Sequence, residues 1–185
     1  MGKRPHITDQ TRANLIQSFW DLLEEKPLDK ITVKEITNHA GYYRSTFYQY
    51  FDDISDLLSR VEHSLIVDIK KQARASLSSR SAEEFIPISE LFYSENSRYL
   101  KILLGQNAHT SFITDLKSEL RLLILSCCGC PEEDPESKYI IEYALSALLG
   151  TVSLWFRSGE DIPIDRLTEI VNSITKKLMA QVLKR

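Results

Sequence analysis

The sequence predicts an all-α fold, and three observations carry that prediction. Apolar residues recur at spacings of three and four along almost every segment, the period of a helix that buries one face. Proline and glycine punctuate those segments at their ends: Pro27, Gly41, Gly159 and Pro163 stand where helices stop or start. Two long apolar patterns close the chain, at about 136–158 and 164–183.

Taken in order, Thr8 opens a first helix to about Glu25, with Ala13, Ile16, Phe19, Trp20 and Leu23 on one face and Pro27 closing it. Thr32 caps a second helix, with Glu35 three positions on at capping-box spacing. Ile36 and Ala40 form its apolar face. Gly41 ends it, because a left-handed backbone costs glycine little. Tyr42 and Phe47 return onto that face, and a short third helix leaves Tyr43, Arg44, Ser45, Thr46, Tyr48 and Gln49 on or near its outer side. A short helix with a polar, hydrogen-bonding outer face, braced by the helix before it, suits insertion into a DNA major groove.

A fourth helix begins near Asp53 and runs into the 70s on a stripe of Ile54, Leu57, Leu58, Val61, Leu65 and Ile69. The serines of 76–81 mark the expected break. Phe85–Tyr93 and Ser97–Leu104 read as short helices, Gly105–His109 as a loop, and Ser111–Cys127 as a helix with Phe112, Leu116, Leu120, Leu123 and Ile124 inward. A turn rich in proline and acid follows. The helix over 136–158 is apolar around most of its circumference and needs cover on more than one side. Ala144, Ala147 and Gly150 read as a small-residue strip on it. The final helix carries Leu167, Ile170, Val171, Ile174, Leu178 and Val182. Two such helices per subunit can form a four-helix dimer interface, or complete a monomeric core.

Residues 8–58 resemble the DNA-binding domain of TetR-family transcriptional regulators. The resemblance is carried by Ile31-Thr32-Val33-Lys34-Glu35-Ile36, then Ala40-Gly41, then Arg44-Ser45-Thr46-Phe47-Tyr48-Gln49-Tyr50-Phe51. It implies an all-helical homodimer with a helix-turn-helix domain at 1–52 and a C-terminal ligand-binding and dimerisation domain at 53–185. It implies a double-stranded DNA operator and a small-molecule effector as partners. The sequence departs from the family pattern in places. The family usually has a small residue at Thr37, an aliphatic then a small polar residue at Tyr42 and Tyr43, and often a lysine at Ile54. Here Asp52, Asp53 and Asp56 surround that last position.

The DNA-contact candidates follow from side-chain chemistry. Arg44 can donate two hydrogen bonds to guanine, and Gln49 can pair with adenine. Thr46 suits a thymine methyl or a phosphate, and Tyr48 and Tyr50 suit phosphates. Ser45 and Tyr43 share that face. Thr32 and Lys34 stand where a helix N-terminus offers free N–H groups to phosphate. Lys3 and Arg4 read either as a minor-groove arm or as a tail.

Composition adds bounds. The 185 residues carry a net charge of −3, with 12 Lys and Arg against 11 Asp and Glu in residues 1–80, and 11 against 15 beyond. Phosphate affinity needs cations, so non-specific DNA binding is expected to be modest and salt-sensitive. No signal peptide is expected, because Lys3, Arg4 and His6 lead into a polar stretch, and no membrane span, because no segment is expected to approach the roughly 20 apolar residues that one needs. A cytoplasmic protein with no membrane partner follows from that.

Cys127, Cys128 and Cys130 contain a Cys-x-x-Cys spacing beside Glu132, Glu133 and Asp134. A metal or redox sensor and a plain helix end with buried thiols are the two readings. His6, His39, His63 and His109 are scattered, and no P-loop, nucleophile elbow or dinucleotide fingerprint appears. Neither enzyme activity nor a cofactor is expected. Phe92, Tyr99, Phe112 and Trp155 are candidates to line an effector pocket, or else ordinary core. The alternative function is a protein-interaction co-regulator on the same fold with weakened DNA binding, which the three aspartates favour.

Overall fold

The computed structural model describes residues 5–79, 97–105, 110–128 and 135–182. Helix α1 spans Pro5–Glu25, α2 Val33–Ala40, α3 Arg44–Phe47 and α4 Ile54–Ser79. Further on, α5 spans Ser97–Leu104, α6 Thr110–Cys128, α7 Pro135–Arg157 and α8 Ile164–Val182. No strand occurs among the described residues, as the helical period requires. The chain divides after Ser64 into two compact units.

In the first unit, α1 begins three residues earlier than Thr8 suggested. Proline suits a first helical position, because its missing N–H would have had no partner there. Leu15, Phe19 and Leu23 are fully enclosed and Leu22 is buried, while Ala13 is exposed. The core face is thus turned toward Leu15 and Leu22, since the larger leucines bury more apolar area than Ala13 can. A one-turn 3-10 segment at Leu28–Lys30 links α1 to α2. Ile36, Phe47, Phe51 and Leu57 complete this core, each worth about 1.5–3 kcal/mol of burial. Ile54, expected in the α4 stripe, is half-buried.

α4 runs through Ser76 to Ser79, so its described end falls inside the serine segment 76–81, whose last two residues lie outside the described residues. Serine weakens a helix only mildly, and the preceding turn is anchored by fully enclosed Ala73.

In the second unit, α7 packs against α5, α6 and α8, which explains its apolar girth. Ile141, Ala144, Leu145, Leu148, Leu149, Val152, Trp155 and Phe156 are buried. Ala147 and Gly150 are exposed, so the expected strip divides: Ala144 belongs to the core side and the other two to the outer side. The turn after α7 is closed by Gly159 at φ 75°, with Glu160 N–H donating to Trp155 O and Gly159 N–H to Phe156 O. The Trp155 indole N–H donates to Ile162 O at 2.8 Å, pinning α7 to the start of α8. Ion pairs Lys70–Glu119, Lys117–Glu142 and Lys101–Glu160 join neighbouring segments. Exposed pairs of this kind contribute little each.

By length and composition α7 could cross a membrane, with mean hydropathy 1.4 over its most apolar stretch, half of which is buried within the protein. The expectation that no segment would pass that test does not hold. A core helix packed on three neighbours passes it for the same compositional reason.

Candidate nucleic-acid interface

Each turn of the helix-turn-helix is fixed by a local device. Thr32 sits at the N-cap of α2 in extended backbone. The Glu35 N–H donates to Thr32 Oγ1 at 3.3 Å, and the Thr32 N–H donates to Glu35 Oε2 at 3.0 Å, which closes the expected capping box. Lys26 Nζ donates to Glu35 Oε1 at 2.5 Å. The Lys26 ammonium and the Thr32 hydroxyl pull the Glu35 carboxyl down to about 2.

At the other end, Gly41 has φ 75° and ψ 30°. Its N–H donates to Asn38 O, and the Tyr42 N–H donates to Thr37 O at 2.8 Å, the paired bonds of a Schellman cap. The buried Thr37 hydroxyl donates back to Val33 O or Lys34 O, at 2.9 and 3.1 Å. A polar residue therefore fits where the family uses a small one. Tyr42 is half-buried, and its hydroxyl accepts from Asn14 Nδ2 at 3.0 Å. The first of the two unusual tyrosines is thus a brace between α1 and the turn.

α3 presents its outer side as the sequence suggested. Tyr43, Arg44, Ser45, Tyr48 and Gln49 are exposed, Thr46 and Tyr50 half-buried, and Phe47 wholly enclosed behind them. The Phe47 ring meets Tyr48 edge-on at 5.6 Å and Phe51 at 5.4 Å. These contacts hold the Tyr48 ring at its base. Thr32 and Lys34 are exposed at the start of α2. Lys3 and Arg4 lie outside the described residues.

Two of the three aspartates have structural work. Asp53 Oδ1 accepts from the Asp56 N–H at 2.8 Å, and Asp56 Oδ2 accepts from the Asp52 N–H at 3.0 Å, so two carboxylates cap α4. Arg60 Nε lies 2.8 Å from Asp56 Oδ1, and its guanidinium stands 5.8 Å from the Phe51 ring centre. Arg60 and the Asp52 N–H hold the Asp56 carboxyl below its usual range. Capping explains the Asp53 and Asp56 carboxylates without invoking an altered partner; Asp52 enters the cap through its backbone N–H alone. Sequence reasoning missed Asn14, Lys26 and Arg60 as positioning residues. The Asp-x-x-Asp spacing before α4 was the one signal available for the cap.

In the second unit Phe112 is fully enclosed, Tyr99 half-buried, and Trp155 buried with its N–H on Ile162 O. Phe92 and Cys130 lie outside the described residues, and the side chains of Cys127 and Cys128 are not described.

A buried-aromatic core behind an exposed polar helix, joined by a glycine turn to a capped bracing helix, defines a helix-turn-helix DNA-binding regulator. The family described as bacterial regulatory proteins of the tetR family matches residues 15–61, and a transcriptional regulator C-terminal region matches residues 82–177. The chain belongs to the TetR family of transcriptional regulators. Such proteins act by binding DNA and are not enzymes.

Solved structures share the fold along nearly the whole chain. A TetR transcriptional regulator from Streptococcus agalactiae aligns with TM-score 0.69 at 21% identity, covering 92% of this chain and 96% of its own. The fatty acid degradation regulator FadR from Bacillus halodurans aligns with TM-score 0.70 at 15% identity, covering 97% of each chain. The dihydroxyacetone kinase operon activator DhaS aligns with TM-score 0.60 at 18% identity, covering 92% of this chain and 95% of its own.

Proposed function

We infer that this chain is a homodimeric, effector-responsive repressor that works in the cytoplasm on a two-fold DNA operator. The observation that carries the DNA contact is the outer side of α3. Arg44, Ser45, Tyr48 and Gln49 are exposed over an enclosed Phe47, a polar side presented to base edges and phosphates. Thr32 and Lys34 add phosphate contacts beside it, and Thr46 and Tyr50 flank the face.

Dimerisation is supported by a second feature. Tyr139, Tyr143, Ala147, Gly150 and Leu154 recur at three- and four-residue spacing on one side of α7, and all are exposed. Ile170 and Ile174 are exposed on α8. Apolar side chains gathered on one helix side call for cover. A second copy supplies it with the two-fold symmetry that palindromic half-sites need. The effector acts in the C-terminal domain around Tyr99, Phe112 and Trp155. It shifts the equilibrium by binding one spacing of the recognition helices better than the other.

The experiment is a mobility shift with the DNA flanking the chain's own gene, at rising salt, with a reporter reading the sign of regulation. Sequence-specific binding by a dimer and derepression on deletion are expected. Absence of specific binding would favour the co-regulator alternative. Activation in place of repression is the second reading, favoured by the likeness to DhaS, which is described as an operon activator.

A further inference from the structure

Tyr43 is the most exposed large hydrophobic side chain of the described residues, at 85%. It occupies the N-cap of α3 in extended backbone and supplies no side-chain cap. Serine, threonine, aspartate or asparagine there would stabilise the helix by accepting from its first free N–H groups. Tyr43 forgoes that contribution. Among the described residues its ring stacks on no other ring, and its hydroxyl joins no hydrogen bond. The neighbouring tyrosines differ. Tyr42 is tied to Asn14 at 3.0 Å, and Tyr48 is set edge-on against Phe47 at 5.6 Å. Folding of this chain gives no account of an aromatic ring at position 43.

We propose that Tyr43 is a specificity-determining residue whose ring packs against a thymine C5-methyl group in each operator half-site. The proposal rests on the DNA-binding reading above. The N-terminal end of a recognition helix is the end that meets base edges. Within the major groove the thymine methyl is the one apolar feature of the four bases, and apolar side chains contact it. Tyr48 offers a hydroxyl on a ring set against Phe47, which suits a phosphate. Tyr43 offers an unanchored ring whose gain on binding is the apolar area it covers.

The test uses the full chain and duplexes that it selects from a random DNA pool. In the selected duplexes each thymine is replaced in turn by deoxyuridine, which removes the methyl alone. Wild type should weaken at one symmetric pair of positions by about 4-fold per half-site, the worth of one buried methyl group. Tyr43→Ala should bind the thymine duplex more weakly and lose that sensitivity. Tyr43→Phe should retain both the affinity and the sensitivity, since only the hydroxyl is gone.

Wild-type binding indifferent to every deoxyuridine overturns the proposal and leaves the DNA-binding reading standing. So does a Tyr43→Ala variant that stays as sensitive as wild type. Equal weakening of Tyr43→Phe and Tyr43→Ala on all duplexes assigns the hydroxyl to a phosphate and likewise overturns it. If wild type selects no DNA at all, the DNA-binding reading fails and the role of Tyr43 fails with it.

Discussion

Lys26 Nζ lies 2.5 Å from Glu35 Oε1, so one ion pair ties the end of α1 to the first turn of α2. Glu35 also closes the cap with Thr32. A single carboxylate therefore sets both the start of α2 and its docking on α1, and through them the platform under α3.

The pH dependence follows from that carboxylate. Its folded-state value is about 2 against an ordinary 4.5. A depressed carboxyl adds stability above its unfolded value and loses it as protons are taken up by the folded state. The stability difference between wild type and Glu35→Gln should be full above pH 4.5 and shrink steadily toward pH 2. Urea unfolding of both proteins across that range measures it. Glutamine keeps an acceptor for the cap, so the comparison isolates the charge. A difference that does not change between neutral pH and pH 2 would remove the charge from the account.

Gly41 supplies a separate test of the turn. At φ 75° an added Cβ would meet nothing within 4 Å, so the cost of Gly41→Ala is backbone strain and no clash. A left-handed residue with a side chain costs about 1–2 kcal/mol. Gly41→Asn should cost less, because asparagine tolerates that conformation better. Thermal denaturation should rank wild type, Asn and Ala in that order.

Much of this was legible in the sequence, and the misses have physical causes. The capping box at Thr32 and Glu35 and the glycine stop at Gly41 are local chemistry written within a few residues, and both stand as expected. Helix limits at α5 and α6 came from periodicity and hold within one residue. The α1 core face holds at Phe19, Trp20 and Leu23 and fails at Ala13, because a stripe of threes and fours can be drawn through Ile16 or Leu15 and only packing decides between them. The Ala144, Ala147 and Gly150 strip failed for a related reason: a helix apolar all round gives no rotational reference. Asn14–Tyr42 and Arg60 over Phe51 join residues through tertiary structure, which single-sequence patterns do not encode.

On the interface, Arg44→Ala should weaken specific operator binding by about 1–3 kcal/mol, since one bidentate donor is lost from an exposed site. The melting temperature should not move, because Arg44 is exposed and buries no core. Titration against cognate and mismatched duplexes reads the first, and calorimetry the second. An unchanged affinity with an unchanged base preference would exclude Arg44 as a reader.

Tyr48→Phe is expected to behave differently. Its ring remains held against Phe47, and only the hydroxyl is removed. If that hydroxyl lies on a phosphate, cognate and random DNA should weaken by the same factor. A loss confined to one base position would give Tyr48 a reading role instead.

The last test concerns α7. In the isolated chain a Cβ at Gly150 meets nothing within 4 Å, so Gly150 does not lie against α8 of its own subunit. Leu154, one turn on and 58% exposed, is equally idle within the chain. If this side of α7 is the dimer contact, both residues face a partner at short range. Gly150→Leu then overpacks that contact, which typically costs about 1–3 kcal/mol. Leu154→Asp places an unpaired charge in it, which costs more. Neither should disturb the monomer fold, because each side chain points into open space there. Sedimentation should show folded monomers at concentrations where wild type is dimeric. DNA titration of the same samples should show a larger loss of operator affinity than of non-specific affinity, since only the operator needs two recognition helices at fixed spacing. Dimers of normal stability in both variants would move the interface off this side of α7.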